Sequence, residues 1–159
     1  MHKVVHAWRD AHARLGQHLE LGERLCFGFH FYIADSREQG ARAAAKYYEE
    51  NMKMFGPLRL VRALTDQQIE DMADPRKAPH AGLPTIEEAI DKGGVLCGSP
   101  EQIVEHLKKL EASYPGLDRI SVSLSVGVPR TVALEQLERF AAEVMPAFKT
   151  AVAEPAVAD

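Results

Sequence analysis

The chain has 159 residues, 46% hydrophobic and 26% charged, which suits one folded domain and excludes a disordered polymer. Its formal net charge of -4 excludes the basic footprint that general nucleic-acid or membrane-surface binding requires. No apolar run approaches bilayer length, "MHKVVHAWRDAHARLG" is too polar for a signal peptide, and Cys26 and Cys97 lack CxxC or zinc spacing, so they read as reduced thiols of a cytoplasmic protein.

The first predicted helix carries Val4, Val5, Trp8, Ala11 and Leu15 on one apolar face and stops near Gly16. On its polar side His2, His6 and Asp10 follow at helical spacing. With no third strong ligand and no shielded pocket they read as a solvated face, not a metal site. "RLCFGFHFYIA" is aromatic and β-prone, a strand with Phe27, Phe29, Phe31 and Ile33 on one face and Gly28, His30 and Tyr32 on the other. An Ala-rich helix follows to Met54, capped by Asp35 or Ser36 with Glu38 or Gln39 three residues on, and ended by Gly56-Pro57.

Residues 57–95 are predicted to be a long irregular connection with short patches of weak helix, "TDQQIEDMA" and "TIEEAID". Connections of that length are commonly functional lids or disordered segments. "GVLCGSPEQIVEHLKKL" then opens a helix: Ser99 suits N-cap, Pro100 the first helical position, and Gln102 completes a capping box. It matches neither GxxxxGK[ST] nor GxGxxG, so it is not a phosphate cradle. "DRISVSLSVGV" reads as a second strand, with Ile120, Val122, Leu124 and Val126 opposite Ser121, Ser123 and Ser125. The last predicted helix, about Thr131 to Lys149, buries Leu134, Leu137, Phe140, Ala141 and Val144, and residues 151–159 read as a disordered tail.

Strands alternating with helices indicate a parallel α/β architecture. Two strands do not make a stable sheet, and the apolar "FGFHFYI" would leave open edges that invite pairing with another chain. The chain is therefore expected to belong to a larger fold, or to hold further strands within residues 57–95.

From Gly98 to Phe148 the sequence resembles the C-terminal end of the luciferase-like flavin-dependent monooxygenases. The resemblance rests on Gly98-Ser99-Pro100-Glu101 opening a helix, and on Phe140, Val144, Met145 and Pro146 in a Phe-x-x-x-Val-Met-Pro pattern. Upstream, "FYIADSREQGARAAAKYY" resembles the seventh barrel strand with its helix, residues 57–95 fall where the family has a mobile active-site loop, and the first helix resembles the sixth barrel helix.

The resemblance implies a partial (β/α)8 TIM barrel over residues 1–150, made of C-terminal β/α units with a long lid-like insertion. It implies FMN as cofactor, with the deazaflavin F420 as the alternative, and oxidation of a small organic substrate by O2 at reduced flavin. The family's main flavin-phosphate contacts and its frequent active-site histidine and cysteine come from earlier strands and map onto no residue of this chain. Tight flavin binding by this chain alone is therefore not expected, and its catalytic residues are not assigned. Expected partners are the flavin, a small-molecule substrate, and either a second copy or a complementary barrel chain. The rival reading is a non-catalytic remnant that drives oligomerisation.

In such a barrel the chemistry sits at the C-terminal ends of the strands. Candidate substrate-pocket residues are His30 and Tyr32 on the interior face of the first strand, and Ser125, Gly127 and Val128 after the second. A strand histidine beside a tyrosine suits acid–base work or a hydrogen-bonded core, and Gly127 suits close backbone approach or a plain turn. Asp35 is a helix cap, Cys97 a buried thiol, Lys108 and Lys109 an exposed patch. Arg76, Lys77 and His80 belong to a solvated loop or to a closing lid that meets a phosphate or carboxylate.

Overall fold

The protein is described here by a computed structural model covering residues 2–58 and 64–148; the tail expected at 151–159 lies outside the described residues. Strands β1 (Cys26–Ile33), β2 (Val95–Gly98) and β3 (Arg119–Ser123) form one parallel sheet in the order β2-β1-β3. Six α-helices are described: α1 (His2–Arg14), α2 (Arg37–Phe55), α3 (Asp66–Ala73), α4 (Ile86–Asp91), α5 (Pro100–Ser113) and α6 (Arg130–Arg139). None is long and apolar enough to cross a membrane.

Strand alternation sorts the core into two clusters. Phe27 pairs with Ile120 and Phe29 with Val122 across β1 and β3, and Phe31 pairs with Leu96 across β1 and β2. These side chains pack with Val5 of α1, Ile103 and Leu107 of α5, and Phe140 and Val144 beyond α6. On the other face, Val95 and Cys97 of β2 pack against Ala41, Ala44, Tyr48 and Met52 of α2 and Ile86 of α4. Helices thus cover both faces of a sheet that is open among the described residues, the general layout of α/β proteins.

Four expectations are corrected. First, α3 and α4 fall on the two expected helical patches within residues 57–95, but Val95 opens a strand where an irregular connection was expected and which periodicity did not reveal. Second, β1 is central, with β3 paired to it from Cys26 to His30 and β2 from His30 to Ile33, so each half of the strand has one edge paired. Third, of the predicted apolar face of α1 only Val5 is buried, while Val4, Trp8 and Leu15 are exposed, Leu15 at 76%. Fourth, the last helix buries Gln136, Phe140 and Val144, and leaves Leu134, Leu137 and Ala141 exposed.

A wide π-helical turn over Phe140–Val144 explains part of the last difference, because Met145 N–H bonds Phe140 O five residues back and rotates the following turn. Pro146, which has no N–H to continue the ladder, follows at once.

The helix starts follow the sequence. Ser36 caps α2, its hydroxyl accepting from Gln39 N–H, so Ser36 and not Asp35 is the cap. Ser99 and Gln102 form a reciprocal capping box at α5, with Pro100 in the first turn. Near the start of α2, Gly40 comes so close to the sheet that a Cβ there would lie 2.6 Å from Cys97 Sγ. Gly40→Ala is expected to cost about 1–2 kcal/mol through overpacking. Adding Cys97→Ala should restore most of it, and a double-mutant cycle by urea unfolding reads the coupling.

Candidate ligand-binding face

The register sets Gly28 beside Ser121 and His30 beside Ser123. Paired residues of parallel strands project to the same face, so these four share the side opposite the phenylalanines. Over the N-terminal part of that face Gly28, Ser121 and Ser123 are exposed. Toward the C-terminal ends of the strands, α2 leans across it. There His30, Tyr32, Ser125 and Val128 line a common cavity with Tyr47, Tyr48, Leu124 and Ile86.

Four of the five residues singled out from sequence are thus brought together. Gly127 is not among the lining residues; it is exposed at φ +85°, in the turn between β3 and α6, with no atom within 4 Å of a Cβ built on it. That φ is the conformation that favours glycine. Tyr47 and Tyr48 were not foreseen. Tyr48 follows Ala41 and Ala44 along α2 at helical spacing, which was the available signal.

The enclosed space is about 10 Å³, room for a single water at most. A much larger cavity, about 770 Å³, lies on the phenylalanine face between α5, β3 and the last helical turns, lined by Leu107, Ile120, Val122, Phe140 and Phe148 among others, and none of the candidate residues borders it. Arg76, Lys77 and His80 are exposed and do not line the small cavity; Lys77 Nζ stands 3.9 Å from Asp71 Oδ1.

His30 Nδ1 lies 3.3 Å from Ser123 Oγ. Burial is the largest influence on the ring and lowers its pKa from the ordinary histidine value, outweighing the Ser123 and Leu124 backbone, which favours the protonated ring. Burial acts on His106 of α5 in the same direction, helped by Lys109. Tyr32 is pushed up by burial first and then by Tyr47 and Glu135, so its hydroxyl keeps its proton at neutral pH.

A histidine whose folded-state pKa is depressed destabilises the fold wherever the unfolded ring is protonated. Stability is therefore expected to hold above about pH 6.5 and to fall as pH drops below it toward the folded-state values. Urea unfolding at a series of pH values checks this, and His30→Gln should flatten the slope, leaving the part due to His106.

Burial raises the Cys97 thiol to about 11, while Cys26 is exposed. In the native protein at pH 8 a maleimide is expected to label Cys26 and to spare Cys97 until the chain unfolds, as mass spectrometry of the labelled peptides would read.

A flavin tests this face directly. The cavity on this face, about 10 Å³, has no space for an isoalloxazine ring. At the N-terminus of α5 the cap is filled by Ser99 and Gln102, and Glu101 sits within 2.6 Å of Ser99 Oγ, a poor seat for a phosphate. The start of α6 has no side-chain cap and carries Arg130. These residues do not by themselves fit a whole flavin.

No family model matches the chain. Over 120 residues it is 32% identical to the oxygenase component of a flavin-dependent trigonelline monooxygenase from Acinetobacter baylyi, covering 75% of this chain and 32% of that protein. The chain thus spans about a third of the length of the curated relative it matches. It superimposes on the monooxygenase RslO1 from Streptomyces bottropensis with a TM-score of 0.60 at 14% identity, covering 92% of this chain and 37% of the other. The chain is a distant homologue of a flavin-dependent monooxygenase component, and its mixed α/β fold is similar to part of the RslO1 fold.

Proposed function

We propose that this chain is the C-terminal portion of a flavin-dependent monooxygenase of the luciferase-like type, in which residues 1–150 form part of a (β/α)8 barrel wall. The 32% identity to the trigonelline monooxygenase component is the observation that carries the reading. In it, β1 and β3 are neighbouring barrel strands and their Gly28, His30, Ser121 and Ser123 face looks into the barrel. Tyr32, Ser125, Gly127 and Val128 belong to the substrate pocket, and residues 57–95 act as the lid. The substrate is a small organic molecule oxidised by O2 with reduced flavin, in the cytoplasm. FMN is the proposed flavin, with F420 as the alternative, and the flavin supplies the oxygen chemistry. This chain's part is to shape the pocket and exclude water, with the main flavin contacts made by other sequence.

Co-expression with the part of the Acinetobacter component outside the matched segment tests this. The two pieces are expected to co-purify and to retain FMN that neither holds alone. Tight stoichiometric FMN binding by this chain alone, or failure of the pieces to associate, would contradict the division of labour.

A second reading is favoured by one observation: Val4 and Trp8 of α1, Leu15 just after it, and Leu134, Leu137 and Met145 of the C-terminal helical segment are exposed. Such surfaces suit a non-catalytic module that self-associates. A concentration-dependent dimer by light scattering that blocks flavin retention in the co-expression experiment would select it.

A further inference from the structure

We propose that α4 is a gate over the small cavity, with Ile86 as its plug and the Arg37–Asp91 ion pair as its latch. This rests on the monooxygenase reading above and names the part of residues 57–95 that controls entry to the pocket.

One α4 side chain closes the cavity. Its other walls come from β1, α2 and the segment after β3, which supply His30, Tyr32, Tyr47, Tyr48 and Ser125. Ile86 completes them; it is 3% exposed and is the buried side chain of α4. With Ile86 seated the space is about 10 Å³, room for one water at most, so no substrate ring reaches the tyrosines while α4 stays down.

Lifting α4 as a rigid body breaks few bonds. At its start Thr85 Oγ1 accepts from Glu88 N–H. At its end Gly94 N–H donates to Ala89 O and Gly93 N–H to Ile90 O, the paired bonds of a Schellman turn, with Gly93 at φ +70°. The helix thus carries its own caps and keeps them when it moves. Among the described residues, the only side-chain hydrogen bond or ion pair between α4 and another element joins Asp91 to Arg37 of α2. Those two side chains are 65% and 39% exposed, so the pair is weak and is screened by salt. The apolar hold is Ile86 with the half-buried Ala89 and Ile90. A segment held by so little opens locally, at a lower free energy than the whole fold.

The walls left behind when α4 lifts are aromatic and suit a small flat ring. A ligand that enters only the open form binds with an apparent affinity scaled by the open fraction. Weakening the latch therefore raises amide exchange in α4 and tightens ligand binding by the same factor.

The experiment measures hydrogen exchange and phenol binding by NMR on the same proteins. In the wild type the Ala89, Lys92 and Gly94 amides are expected to exchange at a rate nearly independent of low urea, the mark of local opening, while exchange of the paired β1 amides rises with urea. Arg37→Gln and Asp91→Asn should each speed α4 exchange about two- to fivefold, the range of a surface ion pair, and tighten phenol binding equally. High salt should do the same to the wild type and little to Arg37→Gln. Ile86→Ala, which removes the plug, should tighten phenol binding further. Urea dependence of α4 exchange equal to that of β1 would overturn the proposal. So would latch variants that exchange faster without binding phenol more tightly, or phenol shifts that avoid His30 and Tyr32. Failure here with flavin retained by the co-expressed pair removes the gate alone. Loss of flavin retention with the gate behaviour intact removes the monooxygenase reading.

Discussion

Phe31→Ala is expected to cost about 3–5 kcal/mol, the largest loss of any single truncation considered for this fold. Phe31 is 2% exposed at the middle of the central strand, and its ring meets that of Phe140 at 5.0 Å between centroids. It is flanked in sequence by His30 and Tyr32 of the candidate face, so a cavity behind it would loosen β1 where the site is built. The measurement is the urea midpoint at unchanged slope. Leu137→Ala supplies the contrast: Leu137 was expected in the core but is 47% exposed, and its truncation should stay within about 0.5 kcal/mol. Equal losses at the two positions would contradict the helix phase described here.

Gln136→Leu is expected to cost about 2–3 kcal/mol despite keeping the volume nearly constant. Strand β3 pairs with β1 only as far as His30, which leaves the far end of β1 without a neighbour on that side. The Gln136 amide takes the missing strand's place: Ile33 N–H donates to Oε1 at 2.6 Å, and Nε2 donates to Ile33 O at 3.0 Å. Gln136 is 3% exposed, so a leucine would leave Ile33 N–H buried and unpaired, while Ile33 O would keep the Arg139 Nη1 contact at 3.3 Å. Gln136→Glu should also be costly at neutral pH, because a carboxylate accepts from the N–H but faces the carbonyl with no proton to donate. It should recover in part as pH falls and the carboxyl gains that proton. A Gln136→Leu protein as stable as the wild type would show that the amide clamp is dispensable.

The parts legible in the sequence were those set by local chemistry. Ser99, Pro100 and Gln102 specify the start of α5 within four residues, and the aromatic alternation of β1 fixes which side chains share a face. The parts that were not legible depend on distant partners. Val95–Gly98 is too short for alternation to declare a strand, and it becomes one because β1 offers a parallel edge to it. The C-terminal helix hides its true inner face because Leu134 and Leu137 outrank Gln136 in hydrophobicity, whereas the end of β1 demands a polar partner. His30 and Ser123 lie 93 residues apart, so faces could be read but the register that joins them could not. The four gathered pocket residues were reached from a family resemblance and strand alternation, while Tyr47 and Tyr48 came from a helix whose tilt no sequence period encodes.

The central claim is that this chain carries the pocket-forming part of a flavin-dependent oxygenase. The most direct measurement exchanges the matched segment of the Acinetobacter trigonelline monooxygenase component for that of this chain. Oxygen uptake is then followed with reduced flavin supplied, with and without trigonelline. The account predicts a folded chimera that holds flavin and consumes oxygen in a substrate-dependent way. A soluble chimera with cooperative unfolding that neither holds flavin nor responds to substrate would contradict it.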